Sequence, residues 1–135
     1  MGVVGSGRLG GVLPRPAPRD LRTLTLHRLD PATGEVTTVL SETGTTRVEP
    51  NQWSYEPPIV RVLADEVLWY SQRDGWGHLY RYDLRTGALL AQVTSGQWAV
   101  RQILHVDEAE RVVCTSPPPG WSTRIRTGAR CAGSV

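Results

Sequence analysis

The chain has 135 residues, 39% hydrophobic and 21% charged, a composition that sets aside an intrinsically disordered polymer and allows one modest packed domain. Its formal net charge of +2 comes from 15 basic residues, all arginine, scattered among 13 acids, so no basic face for a nucleic-acid partner is expected. No apolar run approaches the roughly 20 residues needed to cross a bilayer, and the first residues lack the pattern of a secretory signal, which leaves a cytoplasmic placement as the default expectation.

Residues 1–20 are rich in Gly, Pro and Arg. Pro14, Pro16 and Pro18 remove alternate backbone donors and disfavour helix in the residues before them, so this stretch is expected to be a flexible or extended leader. From residue 21 the pattern changes to short β-type runs at 21–29, 60–63, 67–71, 78–83, 88–94, 101–106 and 111–115. Between them stand turn signals: Asp30-Pro31-Ala32-Thr33-Gly34, Asp74-Gly75, Leu84-Arg85-Thr86-Gly87, Ser95-Gly96 and Asp107-Glu108. Nothing from 21 to 115 has a sustained helical period, and strands at this spacing predict an antiparallel all-β sandwich, barrel or propeller.

An internal repeat narrows the choice. His27-Arg28-Leu29-Asp30-Pro31-Ala32-Thr33-Gly34 aligns without a gap on Tyr80-Arg81-Tyr82-Asp83-Leu84-Arg85-Thr86-Gly87, Asp30 to Asp83 and Gly34 to Gly87 both being 53 residues apart. The apolar Val36 and Leu40 fall on Leu89 and Val93. A strand, Asp-x-x-Thr-Gly turn, strand unit repeated at about 50 residues is the signature of propeller blades, four-stranded sheets that bury their faces on one another. The alternative is two unrelated hairpins sharing a common turn.

Leu68-Trp69-Tyr70-Ser71-Gln72-Arg73-Asp74-Gly75-Trp76-Gly77-His78-Leu79-Tyr80-Arg81-Tyr82-Asp83, followed by Thr94-Ser95-Gly96-Gln97-Trp98-Ala99-Val100, resembles a segment of the N-terminal β-propeller domain of the dipeptidyl peptidase IV family of prolyl oligopeptidase-type serine peptidases. The resemblance extends over residues 24–115, and 69–100 carries its most specific part. It implies a partial β-propeller, about two blades of antiparallel four-stranded sheet, over residues 21–115, with irregular tails at 1–20 and 116–135, the latter expected to be disordered. Independently of the family, Asp74-Gly75 suits a hairpin turn, and Trp69, Trp76, Tyr80 and Tyr82 suit core positions between blades.

The resemblance further implies a non-catalytic role: gating and positioning of peptides for a missing α/β-hydrolase catalytic domain that removes dipeptides with proline preferred second. In some members an acidic pair of the propeller holds the substrate's amino terminus. That pair lies on an earlier family segment with no counterpart here, and Glu108 and Glu110 do not match it, so they are taken as solvated turn acids. After Thr115 the sequence departs from the family with Pro117-Pro118-Pro119-Gly120 and an Arg-, Gly-, Ser- and Ala-rich end.

Several motifs offer chemistry that their context removes. Gly5-Ser6-Gly7-Arg8-Leu9-Gly10 has the letters of a dinucleotide fingerprint, yet Pro14, Pro16 and Pro18 would stop the helix on which pyrophosphate must sit. Gly120-Trp121-Ser122 resembles the start of a hydrolase nucleophile elbow, but Arg124 stands where the second glycine belongs, and no Asp or His follows Ser122. His27, His78 and His105 are 51 and 27 positions apart, outside any compact metal-ligand pattern, and His78 is expected to organise a turn by hydrogen bonding. Cys114 and Cys131 lack zinc or Cys-x-x-Cys spacing and are taken as two unpaired thiols.

No catalytic, cofactor-binding or metal-ligating residue is therefore assigned. Closing a propeller takes at least about 160 residues, four blades of the smallest repeat, so the chain by itself is expected to be an open fragment with unpaired edges. The functional alternatives are a stand-alone propeller-type protein-interaction module and a non-functional gene remnant.

Overall fold

The structure, a computed structural model, describes residues 12–16, 22–48, 59–109, 112–116 and 123–126; among them are ten strands and no helix. In chain order they are β1 (Val12–Pro16), β2 (Thr23–Leu29), β3 (Val36–Thr43), β4 (Val60–Val62), β5 (Glu66–Ser71), β6 (His78–Asp83), β7 (Leu89–Gln92), β8 (Gln102–Asp107), β9 (Val112–Ser116) and β10 (Thr123–Arg126). They form three antiparallel sheets, each a simple meander: β1-β2-β3, β4-β5-β6-β7 and β8-β9-β10. One four-stranded blade thus stands between two three-stranded ones, the partial propeller that the repeat implies.

Both faces of the middle sheet are covered, which explains why β5 reads as a continuous apolar run instead of an alternating one. Val67 and Trp69 of β5, with Tyr80 and Tyr82 of β6, pack against Leu24 and Leu26 of β2 and Leu40 of β3. On the opposite face Leu68, Tyr70 and Leu79 pack with Val93, Val100 and Val113, joined by Trp98, Ile103 and Val106. Leu26, Leu68, Leu79 and Trp69 are fully buried, each aliphatic one worth roughly 2 kcal/mol in area removed from water.

The 53-residue repeat is one turn used twice. Asp30 N and Gly34 N bond to Glu35 O and Asp30 O at 2.9 and 2.8 Å; Asp83 N and Gly87 N bond to Ala88 O and Asp83 O at 2.9 Å each. Each turn ends on a glycine in the left-handed region, Gly34 at φ 74° and Gly87 at φ 71°. Gly87 has a second constraint, since a Cβ there would lie 2.1 Å from the Val39 carbonyl oxygen of the neighbouring blade.

Two strands lie where none was expected. β1 falls inside the stretch 1–20, taken as a leader, and β10 falls inside 116–135, taken as a tail; the rest of both stretches lies outside the described residues. The prolines of β1 are compatible with a ladder because they are two apart. Alternate residues turn their N–H groups to the same side, and β1 is the outer strand of its sheet, so Pro14 and Pro16 direct their missing donors away from β2. β3 is the strand that the repeat places after the turn at 30–34, with Val36 and Leu40 on the positions of Leu89 and Val93, although its threonine-rich, exposed first half carries no apolar run of its own.

Candidate functional site

Three polar features lie between the sheets, each placed by the strands around it. The first joins the first and second sheets. Glu42, near the end of β3, accepts a hydrogen bond from Trp69 Nε1 at 2.6 Å and another from the Ser71 hydroxyl, both donors on β5. Arg73, in the turn after β5, reaches Glu42 with Nη2 at 3.5 Å and donates to Ser71 Oγ from Nε at 2.9 Å. It also donates to the Tyr82 hydroxyl at 2.6 Å and lies over the Tyr80 ring, 4.2 Å from its centroid.

Burial works to lower the Arg73 pKa, but the Tyr82 hydrogen bond and the negative groups around it, Glu42 among them, carry it above the ordinary arginine value. Burial also acts on Tyr80, aided by the charge and hydrogen bond of Asp74 and opposed by Arg73, and its phenol is pushed up to about 12. The cluster is built of groups that fill one another's hydrogen-bonding capacity.

The second feature is the His78 clamp. The fully buried imidazole places Nδ1 3.0 Å from Thr94 Oγ1 and Nε2 2.9 Å from the Gly96 carbonyl oxygen. A carbonyl only accepts, so Nε2 carries the proton. Thr94 then donates to Nδ1 while its oxygen accepts from Leu79 N–H at 2.9 Å. Trp98 meets the ring edge-on at 5.4 Å. With Val93 N on Leu79 O and Val100 N on Gly77 O, both 2.7 Å, the clamp folds the segment between β7 and β8 back on the middle sheet. His78 does act by hydrogen bonding, but on residues 94–96 and not on the turn at 74–77 that precedes it.

The third is a cleft of about 210 Å³ between the second and third sheets, lined by Leu63, Ala64, Asp65, Glu66, Arg81, Val106, Asp107, Glu108 and Val112. Arg81 Nε pairs with Glu66 at 3.1 Å, and Glu108 accepts from Ala64 N–H at 3.2 Å. Its volume falls below the roughly 300 Å³ at which pockets begin to enclose drug-sized ligands, so it cannot by itself enclose a peptide.

Of the residues weighed from sequence, Glu108 is an exposed turn acid as expected, and Glu110 lies outside the described residues. Trp69, Tyr80 and Tyr82 are core; Trp76, expected there too, is 45% exposed, because it stands in the connection between β5 and β6 and not in a strand. His27 meets Thr38 Oγ1 at 3.3 Å on β3, His105 is exposed, and no group of potential metal ligands occurs among the described residues. Cys114 lies in β9, while Cys131, the Gly5–Gly10 fingerprint and Gly120-Trp121-Ser122 lie outside the described residues. Glu42 was missed in the sequence: it sits in a threonine-rich segment with no motif of its own, and only the inter-sheet packing gives it partners.

An open arc of antiparallel meanders, a four-stranded blade between partial blades with a repeated Asp-x-x-Thr-Gly turn, defines the propeller class. The family model for the dipeptidyl peptidase IV (DPP IV) N-terminal region matches residues 12–115, and the chain belongs to that family. Among solved structures it is similar to the Porphyromonas gingivalis dipeptidyl peptidase 4, at 20% identity and a TM-score of 0.61, over 84% of this chain and 17% of that one. It is also similar to a putative dipeptidyl aminopeptidase IV from Bacteroides ovatus ATCC 8483, at 23% identity and a TM-score of 0.67, over 84% of this chain and 18% of that one. The chain thus spans less than a fifth of the length of either.

Proposed function

We propose that this chain acts as a non-catalytic propeller segment of a dipeptidyl peptidase IV-like serine peptidase, helping to gate and position peptide substrates over an α/β-hydrolase domain carried on other sequence. Family membership over residues 12–115 carries this reading. The interior supports it. Glu42 is spent on holding the first sheet to the second and His78 on holding the segment after β7 to the middle sheet, and the cleft is too small for a peptide, so a peptide would be contacted by the blade surfaces.

The test is to express the chain alone and together with a downstream-encoded hydrolase segment, and to follow chromophore release from a Gly-Pro substrate. Activity confined to the combination is the expected result. Absence of both activity and association in the combination would overturn the proposal and leave a stand-alone interaction module, a reading favoured by exposed Trp76, Leu89, Leu90 and Leu104, or a gene remnant.

A further inference from the structure

Glu42 belongs to the first sheet, and the donors it serves belong to the second. Every polar atom in the cluster has a fixed direction. Trp69 Nε1 can only donate, and it points at Glu42 Oε2. Ser71 Oγ already accepts from the backbone N–H of Arg73 at 3.2 Å and from Arg73 Nε at 2.9 Å, so its one proton goes to Glu42 Oε1. Both Glu42 oxygens therefore face donors, and the position admits an acceptor on each side and a proton on neither.

Beside it the two sheets meet in an apolar cluster, Leu24, Leu26 and Leu40 against Val67, Trp69, Tyr80 and Tyr82. Such burial is strong but without direction, and it would tolerate small slides and rotations of one sheet on the other. A part-buried polar cluster tolerates fewer, because a shift that separates Glu42 from Trp69 and Ser71 takes a carboxylate of 12% side-chain exposure away from its donors.

We propose that Glu42 is an acceptor-only lock that fixes the orientation of the first sheet on the second, so that neutralising this one carboxylate lets the first sheet open as a unit separate from the rest. Glutamine matches glutamate in shape but places an NH2 against either Trp69 Nε1–H or the Ser71 hydroxyl proton. Ser71 cannot turn its proton away without losing an Arg73 bond.

The experiment is residue-resolved amide hydrogen exchange on the whole chain, wild type against Glu42→Gln, with the Trp69 indole N–H resonance followed in parallel. The expected result is at least about tenfold faster exchange in β2 and β3, with β8 and β9 within about twofold of wild type. The Trp69 indole proton should also move upfield and lose protection. Unchanged exchange in β2 and β3 overturns the proposal, and so does equal acceleration in all three sheets, which would make the cluster an ordinary contributor to global stability. Should Glu42→Gln not fold, Ser71→Ala, which removes one donor and leaves the carboxylate charged, replaces it: a smaller acceleration confined to β2 and β3 supports the lock, and a uniform or absent one overturns it.

Discussion

Asp30 and Asp83 hold the same place in the same turn: each carboxylate accepts the backbone N–H two residues on, from Ala32 and Arg85, at 2.8 Å, and Asp83 also takes that of Thr86 at 2.9 Å. Asp30→Ala and Asp83→Ala are each expected to destabilise the fold modestly, the Asp83 change being the larger because that carboxylate accepts from two amides instead of one. The hairpins share no side-chain partner, so the double variant should be close to additive. Urea denaturation of the three variants checks this.

The Thr86 and Arg85 amides hold the Asp83 carboxyl below its usual 3.8. With the folded pKa depressed, the stabilisation is present above the unfolded value and is lost as the pH falls through the folded one. An NMR titration following the Thr86 and Arg85 amide shifts should place their common midpoint below 3.8. A midpoint at or above that value would show that the two amides do not hold the charge.

Gly34 and Gly87 share a backbone angle but not a neighbourhood. Alanine at Gly34, with nothing within 4 Å of its Cβ, should cost about 1 kcal/mol, the left-handed penalty alone. At Gly87 the Cβ meets the Val39 carbonyl at 2.1 Å, so the cost should exceed that of Gly34→Ala by at least about 1 kcal/mol, the scale of overpacking. Thermal unfolding of the pair measures the difference. Equal losses would mean that the two blades do not approach at this point.

Tyr80 should titrate near pH 12, two units above its ordinary 10.0, because burial and Asp74 disfavour the phenolate. A raised folded pKa means that its contribution is complete below the unfolded value and is lost as the pH rises through the folded one. Stability should therefore fall between pH 10 and 12, and Tyr80→Phe, which has no phenol to ionise, should flatten that fall. Ultraviolet difference titration with parallel stability curves checks both.

Trp69 and Trp76 stand seven residues apart in the same motif, yet Trp69 is fully buried and Trp76 is 45% exposed. Trp69→Ala should cost about 3–5 kcal/mol, with the loss of the Glu42 bond added to the cavity. Trp76→Ala should stay within about 0.5 kcal/mol. Denaturant midpoints separate the two directly.

The strands from β4 to β9 were legible because each is an apolar run closed by turn residues, and the propeller class because Asp30 to Gly34 recurs at Asp83 to Gly87. Those signals are local: a positive φ needs glycine, and an Asp side chain caps a turn wherever it stands. β1 was hidden because proline reads as a breaker until the strand is known to be an outer one, while β3, threonine-rich and without an apolar run, was legible only through the repeat. Trp76 was misplaced because an aromatic residue in a hairpin motif has no address until the turn's path is fixed.

Sequence by itself therefore determined the all-β class and the blade repeat, both of which follow from residue types at short spacing. Only the tertiary structure decided that Glu42 meets Trp69 and Ser71, that Gly87 touches Val39, and that the acids around residues 65 and 107 share one cleft. Those relationships join residues from different sheets. Burial of both faces of the middle sheet brings them together, and no local pattern in the chain encodes it.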